Sequence, residues 1–91
     1  MEMWTYNFSK SSLKFLEQVD GETKVRIKTK LLELGDYLEG KSPALVDIKR
    51  LKGKWEGFYR LRVGKIRVIL SFDLQQKAMV LHDIGFRGDI Y

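Results

Sequence analysis

The sequence predicts an α+β domain in the order β-α-α-β-β-β-β. Two N-terminal antiparallel helices are expected on one face of a mainly antiparallel sheet. Three observations carry this. Leucines and isoleucines recur at helical spacing up to residue 40, hydrophobic alternation switches to a period of two from residue 46, and a two-residue turn signal sits between the two best strand patterns. The 91 residues and an apolar fraction of 44% are those of one small domain over 1–91, with no linker, repeat or low-complexity stretch.

Trp4, Tyr6 and Phe8 alternate with Thr5 and Asn7, which predicts a short opening strand whose aromatics face the core. Ser9 is placed as the N-cap of a helix running to about Val19, with Leu13, Leu16 and Val19 or Gln18 on its apolar side, and Asp20-Gly21 breaks it. From about Glu22 to Glu39 the residues Ile27, Leu31, Leu34 and Leu38 repeat at spacings of four, three and four. That stripe turns inward while Lys24, Lys28 and Lys30 lie elsewhere on the cylinder, and Gly40 ends the helix.

Val46–Leu51 is expected as a short, irregular strand and Lys52-Gly53-Lys54 as a loop. Phe58–Val63, Ile66–Phe72 and Ala78–Ile84 follow as three further strands. Gly64-Lys65 fits the two-residue hairpin loop with glycine first, so Val63 pairs with Ile66 and Arg62 falls directly opposite Arg67. Alternation then puts Leu61, Val63, Ile66, Val68 and Leu70 on the core face, and Arg60, Arg62 and Arg67 on the other.

Charge singles out the same region. Residues 1–45 hold seven Lys/Arg and seven Asp/Glu, so the whole net charge of +5 lies in the second half. Between Lys49 and Arg67 eight basic residues stand against one acid, Glu56. Like charges opposed on a sheet cost roughly 0.2–1 kcal/mol, so three arginines on one small face imply an anion between them. A polyanion, nucleic acid first, is the expected partner. Glu56 and Asp73 are the acids that could otherwise neutralise the cluster.

No cysteine is present, which excludes disulfides and thiolate sites, and one histidine makes a zinc site improbable. No metal or other cofactor is expected. The longest apolar run, Val68-Ile69-Leu70, cannot cross a bilayer, so a soluble intracellular protein with no membrane partner is expected.

The runs Leu51-Lys52-Gly53, Gly57-Phe58-Tyr59-Arg60-Leu61-Arg62-Val63-Gly64-Lys65-Ile66-Arg67-Val68-Ile69 and Ile84-Gly85-Phe86-Arg87-Gly88-Asp89-Ile90-Tyr91 resemble the RelE branch of the RelE/ParE toxin superfamily. The resemblance spans essentially the whole chain. It implies the cytoplasmic toxin of a type II toxin–antitoxin module: a metal-independent endoribonuclease that cuts mRNA in the ribosomal A site, inhibits translation and is neutralised by a cognate antitoxin. Operator DNA would be met only indirectly, through that antitoxin. The 2′-OH of the message would attack the adjacent phosphate, leaving a cyclic phosphate and a 5′-OH.

Matched to the family's motifs, the catalytic set is Arg60, Arg62, Arg67, Arg87 and Tyr91. Arg67 and Arg87 would grip the scissile phosphate, since a guanidinium can hold two of its oxygens. Tyr91 would orient or stack on a base. Lys49, Arg50, Lys52 and Lys54 are expected as RNA or ribosome contacts that set position. Trp55 would meet either a base or the antitoxin. The general base stays open, because Arg62 stands where relatives can use a lysine and an arginine remains protonated. Lys52, Lys54 and Glu56 are the substitutes. His82 is read as a packed or hydrogen-bonded structural residue, and Asp83 and Asp89 as structural. Two rival readings are a ParE-like DNA gyrase poison and a non-catalytic RNA-binding member of the superfamily.

Overall fold

The computed structural model describes residues 4–41 and 46–86. Its elements are β1 (Thr5–Phe8), α1 (Lys10–Gln18), α2 (Gly21–Leu38), β2 (Ile48–Arg50), a 3₁₀ turn at Gly53–Trp55, β3 (Tyr59–Val63), β4 (Ile66–Asp73) and β5 (Ala78–Phe86). The five strands form one sheet in the order β1-β5-β4-β3-β2, antiparallel except for the parallel pair β1–β5.

Local chemistry accounts for the boundaries. Ser9 caps α1 by accepting from the Ser12 amide, and Asp20 caps α2 by accepting from the Thr23 amide at 2.7 Å. Gly40, at φ +72°, follows α2 in the left-handed conformation that a helix end favours. At Gly64, φ is +61°, as a two-residue loop with glycine first requires.

The core lies between the helices and one sheet face. Ile27, Leu31 and Leu34 of α2 meet Leu61, Val63, Ile66, Val68, Leu70, Met79, Leu81 and Ile84, all buried, with Trp4, Tyr6 and Phe8 packed against them. The α2 stripe is as the spacing predicts. The α1 stripe is not: Leu13 is 49% exposed, and the residue that α1 buries fully is Ser12. Polar chemistry explains the substitution, because Ser12 Oγ donates to the Leu81 carbonyl at 3.1 Å and Ser9 Oγ to the His82 carbonyl at 2.8 Å. The start of α1 is thus tied to β5 by serine hydroxyls as well as by Phe15 and Leu16.

Those carbonyls belong to an irregularity in β5. Ile69 pairs with Asp83 but Leu70 pairs with Leu81, so His82 is an extra residue on β5. The bulge shifts the alternation, which is why Met79, Leu81 and Ile84 all face the core.

Candidate functional site

The register of the sheet assembles the site on the face away from the helices. Paired residues share a face, so Lys49 sides with Arg60, Arg62 with Arg67, and Arg67 with Gly85. Next along, Arg60 is opposite Ile69, and Ile69 opposite Asp83. Gly85 contributes no side chain beside Arg67. Arg62, Gly64, Lys65 and Arg67 wall a depression of ≈ 100 Å³ at the hairpin end of this face. A concavity lined by two arginines, a lysine and a glycine suits a tetrahedral oxyanion.

The three arginines are not equivalent. Arg60 is buried, and its Nη2 donates to Asp47 Oδ1 at 2.6 Å. The other carboxylate oxygen of Asp47 stands 3.7 Å from Arg62 Nη1, in a pair that is roughly half exposed. Asp47, rather than Glu56 or Asp73, is therefore the counter-ion that Arg60 and Arg62 share. It neutralises Arg60 more than Arg62. Arg60 also keeps a buried Nε with no hydrogen-bond partner among the described residues. Arg60 does not line the depression, whereas Arg62 and Arg67 are part-exposed and edge it.

Sequence reasoning did not single out Asp47. Its signal was its place two residues before Lys49, which alternation brings to the arginine face once β2 and β3 are paired. Arg62 N–H donates to the Asp47 carbonyl at 2.9 Å and fixes that pairing.

The remaining expected residues divide. Lys49 is exposed on the arginine face, opposite Arg60. Arg50 pairs with Tyr59 and so projects from the other side of the sheet, away from the row with which it was grouped. Lys52, just before the 3₁₀ turn, and Lys54, within it, are exposed. Glu56, at the end of that turn, is exposed. Arg87, Asp89 and Tyr91 lie outside the described residues.

His82 is hydrogen-bonded, as expected: Nε2 lies 2.9 Å from Ser71 Oγ, and its ring stacks on Phe58 with centroids 4.4 Å apart and planes 10° apart. Trp55 in turn packs against Phe58 at 5.8 Å. Asp83 accepts from the Ile84 amide at 3.0 Å and Ser11 Oγ at 3.3 Å, a structural arrangement.

A larger groove of ≈ 380 Å³ opens on the helix side between β1 and both helices. Tyr6, Phe8, Leu16, Ile27, Leu31 and Leu32 line it, and Lys24 and Lys28 are its charged residues, so it offers no acid–base pair. Among the described residues, no group of three or more His, Asp or Glu is placed to hold a metal ion, and no helix is long and apolar enough to cross a membrane.

Comparison with solved structures gives this architecture a context. A chain of the RelB–RelE antitoxin–toxin complex from Methanococcus jannaschii superimposes with a TM-score of 0.67 at 27% identity, covering 93% of this chain and 94% of that one. The fold is that of the RelE-type toxins. The RelBE2 toxin–antitoxin complex from Mycobacterium tuberculosis matches at TM-score 0.70 and 20% identity over 98% of this chain and 97% of that one. The isolated E. coli RelE toxin matches at 0.67 and 17% over 97% and 90%. No protein-family model and no curated protein sequence matches the chain. The RelE-type fold accounts for the sheet order and the two helices together.

Proposed function

We propose that this chain is the toxin of a type II toxin–antitoxin system, a metal-independent mRNA interferase that cuts message in the ribosomal A site and is silenced by a cognate antitoxin. The RelE-type fold supports the toxin assignment, and the neighbours solved as toxin–antitoxin complexes support an antitoxin partner. The observation that carries the enzymatic reading is the depression between Arg62, Lys65 and Arg67 on an otherwise well-formed hairpin.

In that reading the scissile phosphate sits in the depression. The 2′-oxygen of the same nucleotide attacks phosphorus, the bond from phosphorus to the 5′-oxygen breaks, and the products are a cyclic phosphate and a 5′-OH. Arg62 and Arg67 hold the non-bridging oxygens and offset the charge that accumulates in the transition state. Arg60 keeps Asp47 in place. Arg87 and Tyr91 carry the roles their motif implies, a further phosphate grip and base orientation. Lys49, Lys52 and Lys54 bind the RNA backbone, so replacing Lys52 or Lys54 flattens the salt dependence of binding by about one counterion each. Operator DNA is met only through the antitoxin, and the site of action is the cytoplasm.

Induction of the chain alone tests this directly. Translation should stop, and primer extension on cellular mRNA should show new ends within translated codons. Continued translation with accumulating DNA breaks would instead assign the chain to the gyrase poisons.

A further inference from the structure

The arginine row is flanked on its own face by a second feature that the cleavage chemistry leaves unused. Trp55, Phe58 and His82 form a ladder of rings, 5.8 Å and then 4.4 Å between centroids. Each is partly exposed. The ladder is assembled by three separate devices. The 3₁₀ turn brings Trp55 back over Phe58, and the Phe58 amide donates to the Trp55 carbonyl at 3.0 Å. The β5 bulge puts His82 where it meets Phe58, and Ser71, small and lying on β4 between them, holds the imidazole through its hydroxyl.

Phe58 precedes Arg60 by two residues on the same face. With a rise of about 3.3 Å per residue, the ladder stands roughly 13 Å along the strand from Arg62, which edges the depression. That separation suits the base of a neighbouring nucleotide rather than the one whose phosphate is cut. The main hydrophobic cluster is on the opposite face of the sheet; on this face Ile69 is buried beside Arg60, while the three rings stay part-exposed. Sequence-tolerant stacking of bases on aromatic rings beside a cationic groove is how single-stranded RNA is held.

We propose that Trp55, Phe58 and His82 are a stacking platform for one nucleobase of the message, so that the arginine row holds the phosphate and the ladder sets which neighbouring nucleotide is presented. The proposal rests on the RNA-cleaving reading above and adds a specificity-determining subsite to it. Phe58 is held between the two other rings, with His82 stacked on it and Trp55 beside it at the turn.

Programmed ribosomes carrying messages in which each A-site nucleotide is in turn made abasic, its ribose and 2′-OH retained, provide the test. For the wild-type chain, one abasic position should slow cleavage by roughly 10-fold, the scale of one lost base–aromatic stack. The same penalty should vanish in Trp55→Ala and in His82→Leu, each checked for a native melt, because those variants have no stack left to lose. Abasic messages cut as fast as intact ones, or a penalty that persists unchanged in both variants, would overturn the platform while leaving the cleavage reading intact. An intact message that is never cut overturns both.

Discussion

Arg62 and Arg67 stand directly opposite each other across the β3–β4 hairpin, and the residue beyond Arg67 on β5 is Gly85. Two guanidiniums in that relation repel, and Asp47 stands 3.7 Å from Arg62. A fold under no other demand gains nothing from such a pair. Arg62→Ala removes both the repulsion and a weak, exposed ion pair, and these offset to within about 0.5 kcal/mol. Its melting temperature should therefore stay near wild type while cleavage falls. A clear loss of stability with normal cleavage would make Arg62 structural.

Asp47→Asn should behave in the opposite way. It leaves the buried guanidinium of Arg60 without its charged partner, and stranding a buried polar group costs about 1–3 kcal/mol. Denaturant unfolding should rank Asp47→Asn well below Arg62→Ala in stability. Equal stabilities would show that Arg60 does not depend on Asp47.

Gly35 marks a contact between α2 and the first strand. A Cβ there would lie 2.8 Å from Trp4 Cδ1 and 3.0 Å from Nε1. Alanine is the better helix former by about 1 kcal/mol, yet Gly35→Ala should destabilise, because forcing the indole aside costs about 1–3 kcal/mol. A stabilised Gly35→Ala would mean that Trp4 does not sit on α2.

Acid should loosen the same corner. Lys77, at 2.5 Å, holds the Glu39 carboxyl below its ordinary value of 4.5, against the effect of burial, with Trp4 Nε1–H and Lys41 adding to the stabilisation of its charge. A carboxyl depressed in the folded state contributes stability that is complete above the ordinary value and is lost as pH falls through 4.5 and below. Asp20, lowered from 3.8 by its hydrogen bonds with Thr23, adds to the same acid limb. Glu39→Gln should flatten the fall in melting temperature below that pH. An unchanged slope would assign the acid sensitivity to other groups.

How much of this was legible in the sequence follows from range. The α2 stripe, the Gly64-Lys65 turn and the Arg62–Arg67 pair are set by neighbours within a few residues, and each is found where periodicity and turn chemistry place it. The exposed Leu13 and buried Ser12 were not legible, because the carbonyls that Ser12 satisfies come from a bulge some 70 positions away, and a bulge of one residue leaves no local mark. Asp47 as the partner of Arg60, and the stack of His82 on Phe58, likewise exist only once the strands are in register. Arg50 stands on the other side of the sheet from Lys49 for a simpler reason: in a strand, adjacent residues face opposite ways.

Arg67→Ala tests the central claim most directly. With ribosome affinity measured in parallel, the single-turnover rate of A-site cleavage by bound Arg67→Ala should fall by roughly 10²-fold or more, the scale of losing one preorganised charge stabiliser. A bound variant that cuts at the wild-type rate would contradict the assignment of the arginine row to the reacting phosphate.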